Sequence, residues 1–237
     1  MKIGIKTYSS EKFLEYFKEN ADFFEIMAIE SNDYNFLKKF SQPIIIHAQH
    51  QSFNINNADK LKNKINLSSI NFARKLADLA NAKRIIVHPG ELWYNGPSVE
   101  QSIEFIRNIN DKRVIVENMP SGNELCSYPQ ETKGFLKQTN KGLCLDINHA
   151  IEAAIYYDKD YIGFLKEFIK LKPAHYHLGG QKIKEGKTHL SLKESDFDLK
   201  KVLKIIPRNA NITLETIANL EKTQEDIDII KKIIEEI

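Results

Sequence analysis

Short apolar runs that stop at a carboxylate or a histidine constrain this chain more than any other feature. Residues 113–120 read RVIVENMP and residues 142–150 read GLCLDINHA, with a loop and a helical pattern between them. Each segment opens on a strand-like run, 114–116 and 143–145, and each run stops at an acid, Glu117 and Asp146. An isolated carboxylate is a poor core residue, because buried charge is costly unless it is paired or bound to a metal. At the C-terminal ends of parallel strands, ligands and catalysis are expected instead. His149 follows Asp146 by three residues, so its side chain can reach the same mouth.

The arrangement repeats from end to end. Strand-like runs at 2–5, 23–29, 43–47, 84–88, 114–117, 143–146, 174–178 and 212–215 alternate with helical patterns. Ser9 or Ser10 can cap a helix running to Asn20, and Ser98 caps the helix after the fourth strand. Residues 59–80 predict a long helix whose apolar face holds Leu61, Ile65, Ile70, Ala73, Leu76, Ala77 and Ala80. Eight βα units with apolar, non-alternating strands predict an α/β chain folded as one (β/α)8 barrel over residues 1–237. A doubly wound open sheet is the other arrangement this pattern allows.

With 237 residues and 42% hydrophobic content, the chain can bury a large core. Only 10 Gly and 7 Pro argue against disorder. A formal net charge of +2 gives no strong basic field, so any nucleic-acid contact would be a local patch. The two cysteines, Cys126 and Cys144, make no disulfide framework, and Cys144 is expected as a buried thiol. The opening MKIGIK reads directly as a strand, so no signal peptide is expected, and no apolar run is long enough to span a bilayer. A soluble, cytoplasmic protein without membrane contact is expected.

The strand ends carry the chemistry. The third strand ends at His47, the fourth at His88, the fifth at Glu117, the sixth at Asp146 with His149 beyond it, the seventh at His177, and the eighth at Glu215. His189 lies in the polar loop after the seventh strand. In a barrel these ends converge on one mouth. Imidazole and carboxylate together suit zinc, manganese or iron. Eight candidate ligands exceed the needs of one ion, so two or three are expected, and clustered ions of this kind serve hydrolysis or phosphoryl chemistry. A lone histidine or acid at a strand end is usually a hydrogen-bonded structural residue. Six consecutive strands ending this way make that reading a coincidence. His175 is assigned to the barrel–helix layer as a structural histidine, and His50 to the rim or to solvent.

These motifs resemble the endonuclease IV family of apurinic/apyrimidinic (AP) endonucleases, within the xylose isomerase-like TIM barrels. HPG at 88–90, EN at 117–118, DxxHA at 146–150, HL at 177–178 and LET at 214–216 carry the resemblance. It implies up to three zinc ions. His47, His88 and Glu117 would match the first site. Glu117, Asp146, His177 and Glu215 would match the second, with Glu117 bridging, and His149 and His189 the third. The family has an aspartate two residues before the last histidine, where this chain has Lys187. A charged ammonium has donors only and cannot ligate. Lys187 is therefore expected either to replace the third ion with a fixed positive charge or to point to solvent.

Two activities follow as expectations. The first is a metal-dependent phosphodiesterase of DNA repair, cleaving DNA at abasic sites, with Glu117, Glu215 and Lys187 as catalytic groups. Against DNA stand the short chain and the polar Gln49, His50 and Gln51 in place of the family's apolar wedge. The second is a divalent-metal-dependent isomerase or epimerase of a small sugar or sugar phosphate. Glu25 weighs toward it, because sugar enzymes of this superfamily often carry a glutamate on strand two. Trp93 and Tyr94 can stack a base or a sugar, or simply cover the barrel. A barrel that binds metal or ligand without turnover is the third class.

Overall fold

A computed structural model describes residues 1–237. Eight parallel strands close into a barrel in the order β1-β10-β7-β6-β5-β4-β3-β2. They are β1 (Lys2–Thr7), β2 (Phe23–Met27), β3 (Ile44–His47), β4 (Ile85–Val87), β5 (Val114–Glu117), β6 (Gly142–Asp146), β7 (His175–Leu178) and β10 (Asn211–Leu214). Between β7 and β10 an antiparallel hairpin, β8 (Gly180–Lys182) with β9 (Lys187–Leu190), stands apart from the barrel. The helices are α1 (Glu11–Phe17), α2 (Asn63–Leu79), α3 (Val99–Arg107), α4 (Pro129–Thr139), α5 (Ile147–Tyr156), α6 (Tyr161–Ile169), α7 (Leu199–Ile205) and α8 (Leu220–Glu236). The closed parallel barrel excludes the open sheet. No helix is long and apolar enough to cross a membrane.

Strand alternation creates two cores. Side chains such as Ile3, Ile5, Phe24, Ile26, Val114, Val116, Leu143 and Leu145 point outward and join the helices in one large apolar cluster. The intervening residues point inward. At the base of the barrel Phe23, Ile45, Ile86, Ile115 and Cys144 form a second, smaller cluster. Two residues further along the same strands the inward positions become Glu25, His47, His88, Glu117 and Asp146. These five strands therefore seal the barrel below and carry polar chemistry above.

Local sequence sets the element ends. Ser10, Ser98, Asp146, Asp160, Asp198 and Asn219 each accept a backbone N–H at a helix start. The helix capped by Ser10 ends at Phe17 rather than Asn20. Two expectations need correction. The long helix begins as α2 at Asn63, because residues 60–62 form a separate 3-10 turn. Leu61 is then out of phase with the helix and 93% exposed, and Ile65 is also largely outside the core. Asn66 takes the buried position and exchanges two hydrogen bonds with the backbone of Asn56, at 3.1 and 2.7 Å. His175 does not lie in the barrel–helix layer. Positions 175 and 177 share a strand face, so both imidazoles point into the barrel, and Tyr176 points out. His175 packs edge-on to Phe23 at 5.5 Å and bonds Thr213 Oγ1 at 2.7 Å.

Gly4 is the inward residue of β1 at the floor of the barrel. A Cβ there would fall 2.2 Å from the ring of Phe23. Gly4→Ala should lower stability by about 1–3 kcal/mol through overpacking, read as a lower urea midpoint with an unchanged slope. An unchanged midpoint would show that Phe23 does not fill the floor.

Candidate metal centre

The sequence-predicted ligands converge at the C-terminal mouth. Ligand atoms of His47, His88 and Glu117 lie within 4.8 Å of one another, and so do those of Glu117, Asp146, His177 and Glu215. Glu117 belongs to both groups. Its Oε2 lies 3.0 Å from His47 Nε2 and 3.2 Å from His88 Nε2. Its Oε1 lies 3.2 Å from His177 Nδ1. One carboxylate thus faces a histidine pair with one oxygen and the Asp146–His177–Glu215 set with the other.

The imidazoles are oriented by their second nitrogens, as metal-binding histidines usually are. His47 Nδ1 is 2.8 Å from the Ala48 carbonyl, which only accepts, so Nδ1 carries the proton and Nε2 is left for a ligand. His88 Nδ1 donates to Gln51 Oε1 at 2.8 Å, which again turns Nε2 toward Glu117. His177 is reversed. Its Nε2 donates to Glu25 Oε2 at 3.0 Å, and Nδ1 faces Glu215 Oε1 at 3.0 Å and Asp146 Oδ2 at 3.9 Å. Glu25, fully buried, is also bonded by Thr213 Oγ1 at 2.7 Å. It serves here to orient His177 and does not line the mouth. Asp146 Oδ1 caps α5 by accepting from His149 N at 2.8 Å. Asn118 locks β5 to β6, accepting from Asp146 N at 2.7 Å and donating to the Asp146 carbonyl at 3.0 Å. Gly179 lets the chain after β7 pass the barrel end, since a Cβ there would meet the Glu215 carbonyl at 2.7 Å.

The electrostatics call for positive charge. Glu25, Glu117, Asp146 and Glu215 are all buried. Burial raises the pKa of Glu117 and Glu215, but His177 with His88 on the first, and His177 with Lys6 on the second, outweigh it. Glu117 stays well below the usual carboxylate range and Glu215 falls to about 2. Burial likewise opposes charge on His149, yet Asp146 and Glu117 raise its pKa to about 9. The carboxylates around His177 also overcome burial and raise its pKa. Cations are recruited wherever they can be, and the N/O donor set is one that zinc, manganese or iron accept. These residues fit a divalent metal.

Other expected residues divide. His149 and His189 lie beside each other, ring centroids 6.4 Å apart, with Nδ1 bonded to the carbonyls of Asn118 and Glu215. The carboxylates nearest them, Glu117 and Asp146 beside His149 and Glu215 beside His189, already belong to the two ligand groups. Lys187 is not brought to the mouth. It is exposed and pairs with Glu185 at 2.7 Å. His189, in the left-handed region at φ 56°, bonds the Glu215 carbonyl instead. Trp93 is exposed, and the Tyr94 hydroxyl donates to Asp59 at 2.7 Å; neither lines the mouth. Lys182 also pairs with Glu185, at 3.5 Å. Two residues are more central than the sequence reading made them. His50 stacks on His88 at 4.8 Å and lines the mouth. Lys6, the inward residue above Gly4, contacts Glu215 and lies 3.4 Å from Glu25. The alternation in KIGIK was the available signal for it. The mouth cavity holds about 490 Å³.

A profile of the xylose isomerase-like TIM barrel family matches residues 20–233. The chain belongs to that family. A comparison with curated protein sequences finds no match. Among solved structures, this xylose isomerase-like barrel is similar to a D-tagatose 3-epimerase-like protein, with 20% identity, 99% of this chain and 97% of that chain covered, and a TM-score of 0.78. It is similar to endonuclease IV from Thermus thermophilus, with 17% identity, 100% of both chains covered and a TM-score of 0.76. It is also similar to IOLI protein with a binding zinc atom, with 15% identity, 98% and 96% covered and a TM-score of 0.65. Likeness at these identities establishes the fold and spans several chemistries.

Because the surrounding carboxylates favour a proton on His177, whose Nδ1 belongs to the second ligand group, a cation that engages that group must displace it. Calorimetric titration of zinc in two buffers of different ionisation enthalpy should show net proton release at pH 7. The raised pKa of His149 also means that its contribution to metal-free stability is complete below about 6.5 and is lost as the pH rises through about 9. Zinc binding with no proton release would place the ion away from His177.

Proposed function

We propose that this protein is a two-metal-dependent phosphodiesterase resembling the AP endonucleases, acting on DNA that contains abasic sites. The observation that carries the reading is Glu117, shared between the His47–His88 pair and the Asp146–His177–Glu215 set. A sugar isomerase needs the second set alone. The histidine pair has a use only if a further ion sits beside the first, and paired ions are the usual apparatus of phosphoryl transfer. Two ions, with zinc first and manganese or iron as alternatives, suit the ligands better than three, because the carboxylates beside His149 and His189 already serve the two groups.

Divalent cations held there supply Lewis-acid polarisation of a phosphoryl oxygen. The chain's own groups do the rest. Glu117, fixed by three imidazoles, sets the position of the reacting phosphorus between the two ligand groups. Glu215, at the mouth and held ionised, orients the attacking water. His149, protonated near neutral pH and lining the mouth, leaves Nε2 to give a proton to the departing oxygen. The mouth also presents His50, Gln51 and Ser52, a polar rim.

The alternative is isomerisation or epimerisation of a small sugar or sugar phosphate. The cavity volume, about 490 Å³, favours it, since that space suits a small molecule. The position of Glu25 does not, because that carboxylate is engaged by His177, Thr213 and Lys6.

A labelled duplex with one abasic-site analogue distinguishes the two. Cleavage 5′ to the lesion is expected, abolished by chelator and reduced at least about 100-fold in Glu215→Ala. Metal-loaded protein that leaves the duplex intact but interconverts a ketose would replace the phosphodiesterase with the isomerase.

A further inference from the structure

Lys6 is the one lysine inside the barrel mouth, and its surroundings assign it a task. Its side chain rises over Gly4 and is 13% exposed, and it lines the mouth cavity. Its ammonium touches Glu215 Oε1. That oxygen is also the one facing His177 Nδ1 at 3.0 Å, within the Glu117–Asp146–His177–Glu215 group. An ammonium and a divalent cation cannot share that oxygen without strong repulsion at close range. Glu25 offers Lys6 a second hold. Its Oε2 is taken by His177 and Thr213, while Oε1 is buried, has no hydrogen-bond partner, and lies 3.4 Å from Lys6 Nζ. An ammonium has three donors. With one on Glu25, the others can face the mouth.

We propose that Lys6 is the substrate-anchoring cation of this site: it competes with a divalent ion for Glu215 and, once the ion holds that carboxylate, stays tethered to Glu25 and donates to an anionic oxygen of the substrate. The proposal rests on the phosphodiesterase reading for the identity of that oxygen, a phosphoryl oxygen. It places in β1 the positive charge that the sequence had suggested for Lys187. It also gives Glu25 a second duty besides orienting His177. No bond is made or broken by Lys6; its work is charge and position.

The test uses the full chain, with Lys6→Met and Lys6→Arg. Zinc affinity is measured by competition with a chromophoric chelator, and inorganic phosphate binding is measured on the zinc-loaded protein. Lys6→Met should bind the weaker zinc ion about tenfold more tightly, because its competitor is gone, and should bind phosphate about tenfold more weakly. Lys6→Arg should retain phosphate binding, which also guards against a Lys6→Met protein that is merely misfolded. Zinc affinity that is unchanged or lower in Lys6→Met, in a protein whose circular dichroism matches the wild type, overturns the competition. Phosphate affinity unchanged in Lys6→Met overturns the anchor. Failure of the parent reading looks different: no duplex is cleaved, while both Lys6 effects persist and assign an anionic substrate of another kind.

Discussion

The structure depends on the concentration of negative charge at one end of a barrel that is otherwise sealed by hydrocarbon. Glu25, Glu117, Asp146 and Glu215 are all withdrawn from water within the same few ångströms. Leaving such a group uncompensated would cost several kcal/mol per charge. Every nearby feature answers that cost. Imidazoles present a nitrogen to Glu117 from three strands, Lys6 crosses from β1, and His149 turns back from the first turn of α5. A divalent cation is the compensation this donor set is best shaped to hold.

That demand explains the division of labour along each strand. The floor, Phe23, Ile45, Ile86, Ile115 and Cys144, excludes water and fixes the strands, so the polar layer above has rigid supports. Gly4 yields its space to Phe23, and the same strand then delivers Lys6. The polar layer is in turn braced by neutral side chains. Asn118 ties β5 to β6, and Asn148 ties α5 to the chain after β7, bonding both the N–H and the carbonyl of Gly179 at 2.6 and 3.0 Å. These amides hold the ligands at their distances without adding charge.

Much of this was legible in the residues. Apolar runs ending in His47, His88, Glu117, Asp146, His177 and Glu215 named both the barrel and its mouth, because alternation and strand direction are local properties. What escaped depended on the partners a side chain meets across the barrel. His175 shares a face with His177 and belongs to the interior. Lys6 sits in KIGIK, where a lysine near a chain start reads as solvated until the opposite strands supply Glu215 and Glu25, distant in sequence. Lys187 was singled out by its match to the family's aspartate position, but in the hairpin it faces solvent and pairs with Glu185. Glu25 looked like a substrate-facing acid, but partners on β7 and β10 turned it into a support for His177.

The central claim is that Glu117 joins two cation sites, and counting ions tests it most directly. Elemental analysis of the zinc-equilibrated protein should give about two ions per chain for the wild type, about one each for His88→Ala and Asp146→Asn, and less than one for Glu117→Gln. One ion in the wild type, retained in His88→Ala, would contradict the shared carboxylate and leave a single-metal site.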